Sequence, residues 1–275
     1  MAILLRVPEP DEDVVSGVLW ELGTLGVEVR AGASGICVLL AYFPAGLVTP
    51  EVLRDALAAS PGTSFEPTPV PDVDWVARFR ENFRAFDAGT FRIAPVWDLP
   101  AGLPAGRRVI VVDPGRAFGT GTHETTRLCL RGLERIFAER AVDALLDGGT
   151  GTGILAIAAT LLGARHVVAT ENDPDAVANA REHLALNNSH VDLRLGDGAR
   201  ELPARSFDVV VANITAPLLT ERAGEILAVA APGADVLLSG LLATELDSVR
   251  EAYAAAGAST AEVDGEWACL RIRTR

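Results

Sequence analysis

The sequence predicts an α/β fold, in which helices cover both faces of a mostly parallel sheet, preceded by a small α+β domain. Three observations support this prediction. From residue 145 onward, short apolar runs alternate with segments of helical periodicity, as in βαβ units. A glycine-rich turn at residues 147–153 joins the first run to a segment rich in alanine and leucine. Before residue 67, the predicted order is β-α-β-β-α-β, which indicates a ferredoxin-like domain.

The N-terminal domain, residues 1–66, has no residue to which we assign a catalytic role, and we interpret it as a substrate-recognition domain. Pro10 and Pro50 mark helix starts, because proline is favoured in the first turn of a helix. The predicted strands cover residues 2–7, 27–30, 36–42 and 64–66, the helices cover 11–22 and 50–59, and a turn covers 32–35.

Residues 67–90 are predicted to form a linker that contains a helix. The prolines between residues 66 and 71 make its first part stiff. Asp74 is a candidate cap for a helix that runs from residue 75 to about residue 86. Aromatic residues recur along it at helical spacing, and we interpret them as a packing stripe formed by Trp75, Phe79, Phe83 and Phe86.

The third region, residues 91–275, contains the regular alternation of strands and helices. Residues 113–123 are too rich in glycine for a regular element, and Thr125 and Thr126 fall in the first turn of the helix that follows. The predicted strands cover residues 91–94, 109–112, 145–146, 166–171, 191–195, 207–212, 236–241, 259–263 and 267–272, and further helices follow Gly153 and cover 174–187, 216–229 and 244–255.

The glycine-rich turn indicates a site for a nucleotide-like ligand. Glycines let the backbone approach a ligand closely, and the helix that follows offers free N–H groups. The dinucleotide fingerprint places glycine at its first, third and sixth positions, and here Gly149 and Gly151 fit while Ile154 takes the sixth. A phosphate-binding P-loop and a pyridoxal phosphate site both need a lysine, and all 24 basic residues are arginine.

Four polar side chains stand at the predicted carboxyl ends of strands, where ligands bind in open α/β sheets. Glu171 follows Asp147 by 24 residues, which leaves room for one helix and one strand. A carboxylate at this place accepts hydrogen bonds from ribose hydroxyls. Asp197 and Asn213 complete the set. The alternative is a glycine-rich turn in an ordinary α/β protein.

Charge and cysteine usage narrow the class of protein further. A formal charge of −13 disfavours binding to nucleic acid and suits a basic partner, although it also simply keeps a protein soluble. The three cysteines are widely spaced, without a C-x-x-C pair, which argues for a reducing cytoplasm and against a zinc site. We expect no metal, membrane span or signal peptide, and a cytoplasmic monomer.

Three segments together resemble the PrmA family, the bacterial methyltransferases of large-subunit ribosomal protein L11. They are FGTGTHETT at residues 118–126, DGGTGTG at 147–153 and VANI at 211–214. The first segment is quite specific, whereas many methyltransferases share the glycine loop. The match covers the chain from about residue 74 to the end. It implies a Rossmann-like class I methyltransferase domain with a mostly parallel seven-stranded sheet.

The resemblance also implies an activity and a set of residues. The activity is methyl transfer from S-adenosylmethionine to lysine side chains and the α-amine of L11, which the N-terminal domain recognises. The chain departs from the family pattern at Gly148, Glu171 and Thr215, and Glu171 still supplies a carboxylate. The resemblance implies that Thr126, Gly149, Glu171 and Asn213 bind the cofactor. We predict that Phe118, Asp147, Gly151 and Asp197 bind it as well.

Methyl transfer to nitrogen requires a neutral amine, and only about a thousandth of free lysine is neutral at pH 7. We predict Asn213 as the catalytic residue, a polar group that lines the methyl-transfer site; its alternative role is a strand-end cap. His123 is interpreted as a solvated loop residue. Three other functions stay open: methylation of a small molecule, methylation of another protein, and cofactor binding without catalysis. Glutamine methylation of release factors is disfavoured, because Asn-Ile-Thr-Ala replaces Asn-Pro-Pro-Tyr from Asn213 onward.

Overall fold

The computed structural model describes residues 2–31, 35–44, 46–58, 60–69, 85–100, 102, 105–113, 124–200 and 202–275. The chain divides into two compact units, Met1–Asp74 and Trp75–Arg275. Among the described residues, no helix has the length and apolar character that crossing a membrane would require.

The first unit has the predicted ferredoxin-like topology. Its sheet has the order β2-β3-β1-β4, and all neighbouring strands are antiparallel. Leu5, Leu19, Leu39 and Leu53 are fully buried in its core, so both helices pack on the same face of the sheet. The elements are β1 (Ala2–Pro8), α1 (Glu12–Glu21), β2 (Gly26–Ala31), β3 (Ile36–Tyr42), α2 (Pro50–Ala56) and β4 (Ser64–Thr68).

Two predictions near the linker were wrong in detail. Strand β4 continues through Pro67 and Thr68, because both residues pair with β1. Phe86 lies in strand β5 (Phe86–Ala88) and pairs with Ile93 of β6 (Phe91–Pro95), so it does not belong to a helix. A tight turn at Gly89, with φ 62°, reverses the chain there, and the aromatic spacing gave no sign of this hairpin. The remainder of the predicted helix, residues 75–84, lies outside the described residues.

The second unit is built on a seven-stranded sheet with the order β10-β9-β8-β11-β12-β14-β13. The first five strands in this order are parallel, and β14 is antiparallel to both neighbours. The strands are β8 (Ala144–Gly148), β9 (His166–Glu171), β10 (Asp192–Leu195), β11 (Phe207–Asn213), β12 (Ala230–Leu242), β13 (Gly257–Asp264) and β14 (Trp267–Thr274).

Helices cover both faces of this sheet, which confirms the predicted α/β class. Successive residues of a strand alternate between the two cores: Leu145 packs in one and Leu146 in the other. Strands buried on both faces therefore appear as continuous apolar runs in the sequence. The helices are α3 (Glu124–Glu139), α4 (Ile154–Leu162), α5 (Pro174–Leu186), α6 (Ala216–Glu221), α7 (Ala223–Val229) and α8 (Leu246–Ala252).

Two boundaries differ from the predictions. The helix predicted over residues 216–229 is broken at Arg222, which ends α6 and precedes α7. Strand β12 begins at Ala230, six residues earlier than predicted, and contains Pro232 and Gly233. These two residues are typical of turns, so they concealed the first half of the strand.

A separate three-stranded sheet, β5-β6-β7, includes β7 (Arg108–Val112), which runs parallel to β6. One side chain of α5 and the side chain of the residue that caps its end form hydrogen bonds with the backbone along the edge of β7. The Asn187 side chain accepts from the Val111 N–H (2.8 Å) and donates to the Val111 carbonyl (2.7 Å). His183 Nε2 accepts from the Asp113 N–H at 2.9 Å. These bonds satisfy backbone groups that an edge strand otherwise leaves open.

Candidate cofactor and methyl-transfer site

The glycine loop between β8 and α4 adopts a conformation that favours glycine at three positions. Gly149, Gly151 and Gly153 have φ values of 73°, 56° and 80°. Gly149 also needs its small size, because a Cβ there would lie 2.7 Å from Cγ2 of Ile214. Residues other than glycine rarely adopt this left-handed conformation, so the loop path depends on these residues.

Asp147 fastens the start of this loop to the first turn of α4. Its carboxylate oxygen Oδ2 accepts from the Thr150 hydroxyl at 2.6 Å and from the Ala156 N–H at 3.1 Å. The other oxygen, Oδ1, is buried and has no hydrogen-bond partner among the described residues. Burial away from water disfavours the charged form and raises the pKa of Asp147 to about 6.

Glu171 lies at the carboxyl end of β9, as predicted, and its carboxylate also holds the glycine loop. Oε2 accepts from the Gly151 N–H at 2.9 Å. Oε1 accepts from the N–H groups of Asn172 at 2.9 Å and Asp173 at 3.2 Å. A carboxylate offers about four acceptor sites, so Glu171 retains capacity for a further donor.

Two cavities open at this edge of the sheet. The smaller, about 180 Å³, lies between the strand ends and helices α6 and α7, and Glu171, Asp197 and Arg222 contribute its polar wall. The larger, about 410 Å³, is lined by hydroxyl, amide and apolar groups that include Thr126, Thr150, Asn213, Thr215 and Trp267. Gly149 and Ile214 line both cavities, so the two are neighbours.

Asp197 is held in place by arginines that the sequence analysis did not single out. Its carboxylate forms an ion pair with Arg222, and Arg200 lies 3.6 Å from the other oxygen. Arg200 in turn bonds to Glu225 at 2.8 Å. No motif marks Arg222, because the sequence placed it inside an uninterrupted helix.

Asn213 ends strand β11 and lines the larger cavity, as its predicted role requires. Its side chain is half-buried and makes no hydrogen bond to any other residue that the structure describes. Thr126 is buried in the first turn of α3 and lines the same cavity. Trp267, also on this wall, was missed because the sequence showed it only as the start of a closing strand.

Seven of the eight predicted cofactor residues therefore lie at one edge of the sheet. Asp147 lies beneath the glycine loop, Glu171 and Asp197 line the smaller cavity, and Gly149 lines both. Phe118 lies outside the described residues. The remaining three line the larger cavity, and they are Thr126, Gly151 and Asn213.

Comparison with known proteins identifies the family. The model of the family "Ribosomal protein L11 methyltransferase (PrmA)" matches residues 6–275. The ribosomal protein L11 methyltransferase of Geobacter sulfurreducens is 44% identical over 298 residues, which cover 98% of this chain and 97% of that relative. The corresponding protein of Myxococcus xanthus is 35% identical, with 99% and 98% covered.

Solved structures agree with this match. The crystal structure of the ribosomal protein L11 methylase from Lactobacillus delbrueckii subsp. bulgaricus is 28% identical, with a TM-score of 0.64. The alignment covers 70% of this chain and 98% of that one. Because the family model spans nearly the whole sequence and the relatives align along their full lengths, the chain belongs to the ribosomal protein L11 methyltransferase (PrmA) family.

Proposed function

We propose that this protein transfers methyl groups from S-adenosylmethionine to lysine side chains and the α-amine of ribosomal protein L11. Family membership and the names of the relatives support the substrate. The observation that carries the proposal is the pair of adjoining cavities, one suited to a nucleoside and one lined by Asn213 with an uncommitted amide.

The described residues fit S-adenosylmethionine. Gly149 lines both cavities, and a Cβ there would lie 2.7 Å from Cγ2 of Ile214. Glu171 retains acceptor capacity for a ribose hydroxyl. Leu146, Val210 and Ile226 give the smaller cavity apolar walls for a base. When bound, the cofactor supplies a methyl group on a positively charged sulfur, which an amine can attack. We assign its binding to Phe118, Thr126, Asp147, Gly149, Gly151, Glu171, Asp197 and Asn213.

The larger cavity favours the neutral form of an incoming amine. Of its described lining residues, none has a charged side chain. An ammonium that enters loses water without gaining a carboxylate partner, so its pKa falls and the neutral amine is favoured. The Asn213 amide oxygen can accept from an amine N–H and orient the nitrogen, and orientation of this kind supplies much of the rate.

The direct test incubates the protein with methyl-labelled S-adenosylmethionine and a mixture of unmethylated ribosomal proteins. We expect the label on L11 and on no other protein of the mixture. Asn213→Ala should lower kcat about 100-fold, a typical effect of losing one positioned polar group. Affinity for S-adenosylhomocysteine is measured in parallel, so that a loss of cofactor binding is distinguished from a loss of catalysis. Label on another protein, or none, would contradict the proposed function.

We also propose that residues 1–66 dock the ribosomal protein, with residues 67–90 as a linker and residues 91–275 as the catalytic domain. None of the assigned site residues precedes residue 91, and the formal charge of −13 suits a basic partner. A protein truncated to residues 72–275 should bind cofactor with unchanged affinity and lose methylation of L11. Full methylation after truncation would contradict the docking role.

A further inference from the structure

Strand β12 contains a bulge at Gly240, next to the larger cavity. Ser239 pairs with Cys269 of β14 and Leu241 pairs with Ala268, so Gly240 is an extra residue without a partner on that strand. Its φ is 85°, in the left-handed region. Bulges beside active sites re-aim the side chains of neighbouring residues.

Gly240 lies directly against the backbone of Ile214, the residue after Asn213. A Cβ at Gly240 would lie 2.4 Å from the Ile214 carbonyl oxygen and 2.9 Å from its nitrogen. The Ile214 N–H donates to the Ser239 carbonyl at 3.1 Å. Because backbone meets backbone here, no side-chain rotation can make room, and only glycine permits this approach.

The side chain of Ile214 is confined by a second glycine. Its Cγ2 lies 2.7 Å from where a Cβ of Gly149 would be. Ile214 therefore lies between the glycine loop and the β12 bulge, and it lines both cavities. A shift of its backbone would move both the partition between the cavities and Asn213.

The same bulge also affects the position of Trp267. Beyond it, Leu242 pairs with Trp267, which lines the larger cavity. A change of one residue in register reverses the faces to which the following side chains point. One extra residue in β12 thus fixes the position of Trp267 relative to Asn213.

We propose that Gly240 is a positioning residue for methyl transfer, because its bulge and its missing side chain hold Asn213, Ile214 and Trp267 around the amine. This inference rests on the proposed function, which supplies the reaction that the arrangement serves. Gly240 acts through these neighbours and needs no contact with the substrate.

The test compares Gly240→Ala with Gly233→Ala. Gly233 lies in the same strand with a φ of 72°, and a Cβ there would meet nothing within 4 Å, so it matches the backbone strain without the clash. Methylation of L11 is measured as kcat and as KM for S-adenosylmethionine. Gly240→Ala should lower kcat at least tenfold and change KM by a smaller factor than kcat, and Gly233→Ala should change neither.

The inference is overturned if Gly240→Ala keeps kcat within twofold of the wild type, or if Gly233→Ala loses as much. If Gly240→Ala does not fold, Ile214→Ala takes its place, because it removes the partition and leaves the backbone intact. A kcat within twofold of the wild type for Ile214→Ala also overturns it. An inactive wild type overturns the proposed function and this inference with it.

Discussion

Two buried aspartates of the seven-stranded sheet have opposite surroundings. Asp235 is fully buried, near the amino ends of the parallel strands, and bonds to Arg140 at 2.9 Å, Arg271 at 2.8 Å and Arg273 at 2.5 Å. Asp147, 1% exposed at the carboxyl end of β8, accepts only from uncharged groups, and one of its oxygens has no partner among the described residues.

The difference fits a structural role for Asp235 and the cofactor-binding role proposed for Asp147. Three guanidinium groups form ion pairs with Asp235, so its buried negative charge is compensated. The uncompensated carboxylate of Asp147 lies under the glycine loop, beside the two cavities. Polar groups left without partners in a core are costly, and they persist where a ligand or a reaction uses them.

The largest loss of stability should come from removing the carboxylate of Asp235. Asp235→Ala leaves Arg140 and Arg271, both about four-fifths buried, without their shared carboxylate. Removing one partner of a buried ion pair costs about 3–5 kcal/mol. Urea unfolding measures this loss, while the cofactor affinity of the folded fraction should stay unchanged. A loss below about 1 kcal/mol would show that the arginines find other partners.

The second effect concerns the charge of Asp147 and depends on pH. Its pKa rises on folding from 3.8 to about 6, so the folded state binds the proton more tightly. The contribution of Asp147 to the stability of the wild type is therefore greatest below about pH 4, and up to about 3 kcal/mol of it is lost as the pH rises to about 6. Asp147→Asn lacks this titration. The difference in unfolding free energy between the two should change across this window, and a constant difference would contradict the raised pKa.

A third comparison uses Glu171, whose carboxylate accepts three hydrogen bonds from backbone N–H groups. Glu171→Ala removes the acceptor for the Gly151 N–H and the acceptor proposed for a ribose hydroxyl. Hydrogen bonds to a charged group contribute about 1.5–3 kcal/mol, so calorimetry should show roughly a 10- to 150-fold weaker affinity for S-adenosylhomocysteine. Asp175→Ala, an exposed acid in the first turn of α5, is the matched control. Equal affinity of Glu171→Ala and the wild type would remove the ribose assignment.

The smallest change in stability is expected at an exposed ion pair, which provides a baseline for the other substitutions. Asp247 pairs with Arg250 at 2.6 Å, but its side chain is 93% exposed. Exposed ion pairs contribute little because water screens them, so Asp247→Asn should change the unfolding free energy by less than about 0.5 kcal/mol. The same urea measurements decide the point, and a loss comparable with that of Asp235→Ala would invalidate the comparison.

The sequence predicted most of the features that depend on residues near one another in the chain. Apolar runs located the parallel strands, and the strand ends located Asp147, Glu171 and Asn213, because both signals lie within a few residues of each other. The bulge at Gly240 could not be predicted, since it is defined by register against Cys269 and Ala268, nearly thirty residues later. Trp267 joins the site through that same register, and no local pattern reports it.

Local sequence patterns gave wrong predictions where the same residue types occur in two kinds of secondary structure. Pro232 and Gly233 usually mark a turn, yet both lie inside β12. Phe86 continued the helical spacing of the aromatic residues before it, yet pairing with Ile93 places it in a hairpin. For Phe86 a hydrogen-bonded partner strand overrides the local preference, whereas Pro232 and Gly233 lie in the irregular part of β12 between the paired residues Ala230 and Asp235.

The hydrogen bonds between the edge of β7 and Asn187 have a consequence for biosynthesis. Val111 finds its partner Asn187 only 76 residues later in the chain. Translation at roughly 5–20 residues per second delays that partner by about 4 to 15 s. During this interval the edge of the nascent strand is open to other extended chains.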